Sequence, residues 1–298
     1  MKFSIVTPTY NSERFLKETI ESVIYQEGDF EIEYVIIDGA SKDETISIIK
    51  KYELLVSSPT FEPKCKRVTL SWLSEKDFGM YDAINKGFSR SSGEICAWIN
   101  ADDTYTQRAF ELIKESFNNF PQIEWLKGKT IFVEETGKPI YTAPCFIFNK
   151  KWIRNGIYGR NAYFINQDSV FWKRTLLEKV GKINSQLRYA GDYELWVKFA
   201  QFTELWSLDI AVSTFREHGG QLSNNEGAYR KEQLEISPTR GFSHYSIKIF
   251  FWLKTILGKN FEWIFMYSYP LLFLNRKKEY IAFENKKLVI KKVSSYKV

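Results

Sequence analysis

Ser91-Ser92-Gly93-Glu94-Ile95-Cys96-Ala97-Trp98-Ile99-Asn100-Ala101-Asp102-Asp103 decides how the rest of the chain is read, because it carries an apolar strand out onto two adjacent carboxylates. Ile95–Ile99 is the short unbroken apolar run of a strand buried on both faces. Open α/β sheets hold their ligands outside the carboxyl ends of the strands, which is where residues 100–103 emerge. Carboxylates in that position suit Mg²⁺ or Mn²⁺, which takes one or two protein carboxylates and completes its shell with water and phosphate oxygens. Taken alone, the same residues also fit an Asp-rich turn capping a helix that begins near Thr106.

The preceding residues repeat the pattern. Phe3–Thr7 reads as a strand broken by Pro8 and Asn11, and Phe15, Leu16, Thr19, Ile20, Val23 and Ile24 recur at helical spacing. Tyr34–Ile37 is a second strand ending on Asp38, followed by Gly39 and a Ser41…Glu44 capping box for the next helix. Val68–Leu73 leads into a loop with Asp77, and Met80–Phe88 predicts a helix with Tyr81, Ile84 and Phe88 on one side. A β-α-β-α-β-α-β order requires a mostly parallel sheet with right-handed crossovers, which gathers Thr9, Asp38, Asp77 and Asp102-Asp103 at one rim. Neither a G-x-G-x-x-G fingerprint nor a G-x-x-x-x-G-K-[ST] phosphate loop is present. Further on, residues 131–141 predict a hairpin turning at 135–138, 169–172 a strand, and 175–180 a helix stopped by Gly181. A helix from Asp192 turns Leu195, Trp196 and Phe199 inward, and extended residues 205–215 lead to Arg216 and His218.

A length of 298 residues suits one α/β domain with an appendage. Three widely spaced cysteines, Cys65, Cys96 and Cys145, read as reduced thiols of a cytoplasmic protein, and the start at Met1–Pro8 has too short an apolar run for a secretory leader. Twelve Lys and Arg from Arg240 onward face only Glu262, Glu279 and Glu284, a net +9 there, so the preceding residues carry −3 of the chain's +6. Those basic residues interleave with Phe250-Phe251-Trp252-Leu253 and Phe261–Tyr267, a composition that suits an anionic membrane surface rather than nucleic acid, or else a contact with the catalytic domain or a second subunit. The longest apolar candidate, Trp263–Leu274, is well short of the roughly 20 residues a spanning helix needs.

With Thr7-Pro8-Thr9-Tyr10-Asn11, Val35-Ile36-Ile37-Asp38-Gly39-Ala40-Ser41-Lys42-Asp43-Glu44-Thr45, Asp77-Phe78-Gly79-Met80-Tyr81-Asp82-Ala83-Ile84-Asn85-Lys86-Gly87 and Asn100-Ala101-Asp102-Asp103 in this order, the chain resembles the family 2 inverting glycosyltransferases of the GT-A fold, bacterial cell-envelope type. The resemblance implies a Rossmann-like α/β domain over residues 1–226, with a mostly parallel central sheet flanked by helices. Residues 1–104 then form the nucleotide-sugar half and 105–226 the acceptor half, and 227–298 a helical, basic-aromatic extension. It implies transfer of one sugar from a nucleotide-diphosphate sugar, a UDP-sugar first of all, to a hydroxyl of a glycan or polyprenyl-linked acceptor at the inner face of the plasma membrane.

The site residues carried over are Thr7, Pro8, Thr9 and Tyr10 along the base slot, with Asp38, Asp77 and Asn85 beside it. Asp103 is the expected metal ligand, with His218 completing the Mn²⁺ or Mg²⁺ or diphosphate site, or else standing as a loop histidine. Asp102 is assigned to sugar or ribose hydroxyls, and Gln167 and Asp168 to the acceptor. Asp192 in Gly191-Asp192-Tyr193-Glu194 matches the family's general base, which one-step inversion needs to deprotonate the incoming hydroxyl. The Q-x-x-R-W pattern of processive synthases is absent. Two other classes stay open: a nucleotidyltransferase, which needs a Gly-rich basic loop where Pro8-Thr9-Tyr10-Asn11-Ser12 stands, and a non-catalytic nucleotide-sugar-binding protein, which has no need of Asp192.

Overall fold

In the first strands, apolar side chains point to both faces and so build two cores. The computed structural model describes residues 1–159, 164–237 and 278–293, together with Ile249, Trp252, Leu253 and Ile256. From β1 (Lys2–Thr9) and β2 (Gly28–Asp38), Phe3, Ile5, Ile32, Tyr34 and Ile36 enter one core, and Val6, Val35 and Ile37 the other. This is the period-2 alternation of a pleated strand covered on both faces. The first core is closed by α1 (Leu16–Ile24), α2 (Thr45–Ser57) and α4 (Ala109–Asn119). The second is closed by α3 (Met80–Ser89), α5 (Lys150–Arg154), α6 (Arg174–Val180) and α7 (Gly191–Phe202). Its centre is a tryptophan cluster in which Trp98 stacks on Trp196 at 5.8 Å and Trp125 and Trp172 pack around them.

β3 (Cys65–Ser74) and β4 (Ile95–Trp98) complete a parallel set in the order β4-β1-β2-β3. Beyond β4 the sheet becomes mixed. β8 (Val170–Lys173) runs antiparallel to β4 and to β6 (Trp125–Val133), and β9 (Trp206–Arg216) lies parallel to β6. The reversal has a consequence for the site: the 3₁₀ turn Gln167–Ser169 that opens β8 arrives at the rim where β1, β2, β4, β6 and β9 end. Two short strands finish this part, β5 (Thr104–Tyr105) on β9 and β7 (Pro139–Thr142) on β6, the latter being the hairpin expected at 131–141. Cys65, Cys96 and Cys145 are free and buried.

Two expectations are corrected. Ser41 does not cap α2: its hydroxyl donates to Asp38 and accepts from the Asn11 amide, and Asp43 accepts from the Thr45 amide instead. The C-terminal region is not simply a helical extension. After α8 (Glu226–Ile236), residues 278–293 form a hairpin of β10 (Lys278–Glu284) and β11 (Lys287–Val293) that adds to the sheet beside β9. Its turn is Asn285-Lys286, both at positive φ as a two-residue type I′ turn requires. Ile281 opposite Leu208 is fully buried in the first core, so the hairpin is part of the domain. The segment Trp263–Leu274 lies outside the described residues; among those described, no helix is long and apolar enough to cross a membrane.

Ile281→Ala is therefore expected to destabilise the whole domain by about 2–5 kcal/mol, the usual cost of a large-to-small change in a packed core. Urea unfolding followed by tryptophan fluorescence checks this; an unchanged midpoint would mean that the hairpin is an independent appendage.

Candidate active site

Six carboxylates sit at the rim, and burial divides them into two kinds. Asp38 is saturated: Thr9 Oγ1, Ser41 N, Ser41 Oγ and Ser74 Oγ donate to it at 2.5–3.1 Å, and it is fully buried. It ties the ends of β1, β2 and β3 together and has no lone pair left for a ligand. Asp103, the expected metal ligand, is 1% exposed. Its Oδ1 accepts from the Arg216 amide and its Oδ2 from the Asn100 side chain. Burial, and then the charges of Asp102 and Asp168, push its carboxyl well above the usual range. Asp168 is likewise interior, with Oδ2 accepting from Thr130 and Ser213, and burial raises its carboxyl against the nearby Lys127 charge.

Asp77, Asp102 and Asp192 are only partly buried. Asp77 Oδ1 accepts from the Gly79 amide, while Oδ2 faces Gly39. A β-carbon at position 39 would lie 2.9 Å from that oxygen and 3.4 Å from the exposed Tyr10 ring, so glycine is what lets the two approach. Asp102 Oδ2 lies 2.9 Å from His218 Nε2 and accepts from Gln221 Nε2 at 3.2 Å, leaving Oδ1 unused. His218 Nδ1 is 2.7 Å from the Gly219 carbonyl, which can only accept, so Nδ1 carries the proton. In the neutral ring Nε2 then presents a lone pair to a carboxylate, an arrangement stable only with a proton or a cation between them. Metal-ligating histidines characteristically donate their other nitrogen to a carbonyl in this way.

Asp192, half-buried at the first turn of α7, is pushed up to about 7 by burial, against hydrogen bonds from the Tyr193 amide, Tyr229 and Tyr81. Two buried acceptors, Asn100 Oδ1 and Gln167 Oε1, have no hydrogen-bond partner, although Gln167 Nε2 donates to the Trp98 carbonyl at 2.5 Å.

Residues 4–180 match Glycosyl transferase family 2. The chain belongs to that family. It is similar to an uncharacterized glycosyltransferase of Rickettsia typhi, 22% identical over 224 residues, covering 74% of this chain and 65% of that protein. It is also similar to a PGL/p-HBAD biosynthesis glycosyltransferase of Mycobacterium tuberculosis, 23% identical over 264 residues, 85% of this chain and 92% of that protein. The chain thus spans just under two thirds of the rickettsial relative's length. TarS of Staphylococcus aureus, a poly(ribitol-phosphate) beta-N-acetylglucosaminyltransferase, is 31% identical over 106 residues, 35% of this chain and 16% of that protein. The crystal structure of its residues 1–349 with UDP-GlcNAc overlays this fold at TM-score 0.55 and 19% identity, over 76% of this chain and 61% of that one. At that identity the likeness shows a shared fold.

Several residues assigned from the family 2 motifs turn out to hold the framework. Thr7 is buried and accepts from the Tyr34 hydroxyl, Pro8 and Thr9 are buried at the strand end, and Asn85 exchanges two hydrogen bonds with the backbone of Ile183. Sequence reasoning missed Arg216, 3% exposed at the end of β9. Its guanidinium donates to the carbonyls of Asp102 and Glu135 and to the Glu18 carboxylate, and lies 4.7 Å from the Phe15 ring centroid. It forms the strut under the 102–103 loop, and the only hint of it was an arginine two residues before His218.

Saturation separates the two aspartates experimentally. Asp38→Ala strands four donors and is expected to cost about 1–3 kcal/mol, whereas Asp77→Ala should stay within about 0.5 kcal/mol. Parallel chemical denaturation of both variants checks the sorting, and equal losses would refute it.

Proposed function

We propose that this family 2 glycosyltransferase moves one sugar from a UDP-sugar to a hydroxyl of a cell-envelope glycan or lipid-linked acceptor, with inversion. The observation that carries the reading is the Asp102–His218 pair, its imidazole oriented by the Gly219 carbonyl at the same rim as a half-buried Asp192. The TarS complex with UDP-GlcNAc, on the same fold, supports the choice of donor.

The donor set fits a hard divalent cation. Asp102 Oδ1 and His218 Nε2 would hold it, with Gln221 and Arg216 bracing them, and Asp103 acts from beneath through Arg216 and Asn100 rather than as a ligand. Bound there, Mn²⁺ or Mg²⁺ would neutralise the diphosphate. Tyr10 and Asp77 Oδ2 take the nucleoside, and sugar hydroxyls donate to Asn100 Oδ1 and Gln167 Oε1. Asp192 accepts the acceptor hydroxyl's proton as its oxygen bonds to the anomeric carbon and the bond to the diphosphate breaks on the opposite side. A diphosphate leaving group needs no general acid, unlike the second carboxyl of an inverting glycosidase.

A carboxylate base works only when ionised. With Asp192 pushed up to about 7, turnover is expected to rise through that pH from the acid side, level off above it, and fall about tenfold per unit well below it. Asp192→Asn should lower turnover by about 10²–10⁴ with donor affinity nearly unchanged, and Asp102→Ala should abolish Mn²⁺-dependent UDP binding. UDP release from UDP-GlcNAc and calorimetric titration of UDP with and without Mn²⁺ test these; metal-independent binding or an active Asp192→Asn overturns the corresponding role. A non-catalytic sugar-nucleotide binder would bind UDP and release none.

We also propose that the basic tail meets anionic lipid at the cytoplasmic face of the membrane, a compartment that suits the three free thiols. Ile249, Trp252, Leu253 and Ile256, at helical i, i+3, i+4, i+7 spacing, are exposed within the segment that carries the basic excess. Each basic residue near such a surface contributes roughly 1 kcal/mol, so binding should be reversible and salt-sensitive. Co-sedimentation with phosphatidylglycerol vesicles is expected at low salt, lost at high salt and weakened by Trp252→Ser. Self-association by light scattering without vesicle binding would assign this face to a second copy instead.

A further inference from the structure

The residues around Asp192 include a contribution from outside the stretch that matches the family profile, since α8 begins 46 residues after its end at position 180. The first turn of α7 has no side-chain cap of its own. Glu232 of α8 takes that place: its carboxylate accepts from the consecutive amides of Arg188, Tyr189 and Ala190 at 2.7–2.9 Å. A carboxylate at a helix N-terminus is favoured both by those orphan donors and by the helix dipole. The next residue, Gln233, also anchors α8, its amide donating to the Tyr158 carbonyl.

Docked in this way, α8 places the Tyr229 hydroxyl 3.2 Å from both oxygens of Asp192, with Phe164 packed edge-on against its ring. Tyr81, from α3, also reaches Asp192, but only at 3.5 Å, and its proton has a better acceptor in the Tyr189 carbonyl at 2.8 Å. The Tyr81 ring fits there because residue 191 is glycine; a β-carbon would lie 2.7 Å from it. Tyr229 is therefore the side chain whose hydrogen is committed to the carboxylate.

We infer that Tyr229 is a positioning residue for this enzyme, holding the Asp192 carboxylate in one orientation and in its ionised form, and that Glu232 docks α8 so that it can. The inference rests on reading Asp192 as the base. The titratable groups set around Asp192 are Tyr81 from α3, Tyr193 on α7, and Tyr229 and Glu232 from α8. Glu194 turns away to the Asn184 amide and Lys198. From α5, the Ile153 carbonyl accepts from Tyr193. A phenol donating to a carboxylate favours the charged form, so it opposes the upward push of burial, and its loss raises the pKa further.

The test is Tyr229→Phe in the full chain, read in two ways. The Asp192 titration is followed by NMR of protein labelled with ¹³C-aspartate and assigned with Asp192→Asn. The midpoint should move up by about one unit, which is a tenfold smaller ionised fraction at a pH well below it. The acid limb of UDP release from UDP-GlcNAc should move with it, with KM for the donor unchanged and turnover recovering at high pH. An unchanged Asp192 midpoint in Tyr229→Phe overturns the inference, as does a variant that no longer melts cooperatively, since the phenol would then hold the fold rather than the base. A shifted midpoint with no corresponding limb in the rate leaves the Tyr229–Asp192 bond standing and removes Asp192 as the base instead.

Discussion

Carboxylates crowded at one end of a sheet repel each other and lose hydration, so each must be given donors or left open to a cation or ligand. This constraint organises the whole rim. Asp38 is paid off in full by Thr9, Ser41 and Ser74, and Asp103 and Asp168 are buried with donors from the backbone and hydroxyls. The carboxylates that stay partly open to solvent are Asp77, Asp102 and Asp192, and those three positions coincide with nucleoside, metal and acceptor in the proposed reaction. Burial together with hydrogen bonding, rather than proximity to a motif, is the physical criterion applied here to tell framework from chemistry.

The second half of the chain completes the site by two devices. Because β8 runs antiparallel between β4 and β6, its leading 3₁₀ turn delivers Gln167 and Asp168 to the rim that the parallel strands approach from the other direction. Because β9 is parallel to β6, its end brings Arg216 and His218 over the loop that follows β4. Arg216 suits this role since its planar fork serves two carbonyls and a carboxylate at once, which a lysine does not reproduce. The surroundings of Asp192 are built similarly from distant segments: α3 lends Tyr81, α7 carries Asp192, and α8 closes on them through Glu232 and Tyr229.

Much of the architecture was readable along the chain. The strands at Phe3–Thr7, Tyr34–Ile37 and Val68–Leu73 form with longer bounds and the one at Ile95–Ile99 ends a residue earlier, and the helix stopped by Gly181 at φ 79° and the hairpin before residue 142 form as well. The β10–β11 hairpin was not seen, because its alternating basic and apolar residues also describe a membrane-facing tail, and its register depends on β9, some seventy residues earlier. Ser41 looked like a cap because local spacing allows it; the tertiary structure offered it Asp38 and Asn11 instead. Asn85 looked like a ligand contact because it lies in a motif, but it is spent on the backbone of Ile183, 98 residues away.

The sequence by itself determined which strands end on carboxylates and that those ends share one rim, since each follows from local periodicity and from the right-handedness of parallel crossovers. Only the tertiary structure decided which of those carboxylates are free. That depends on donors arriving from residues far away in the chain, such as Arg216 on Asp103, Ser213 on Asp168 and Tyr229 on Asp192, and a one-dimensional pattern records residue types without recording which lone pairs are already taken.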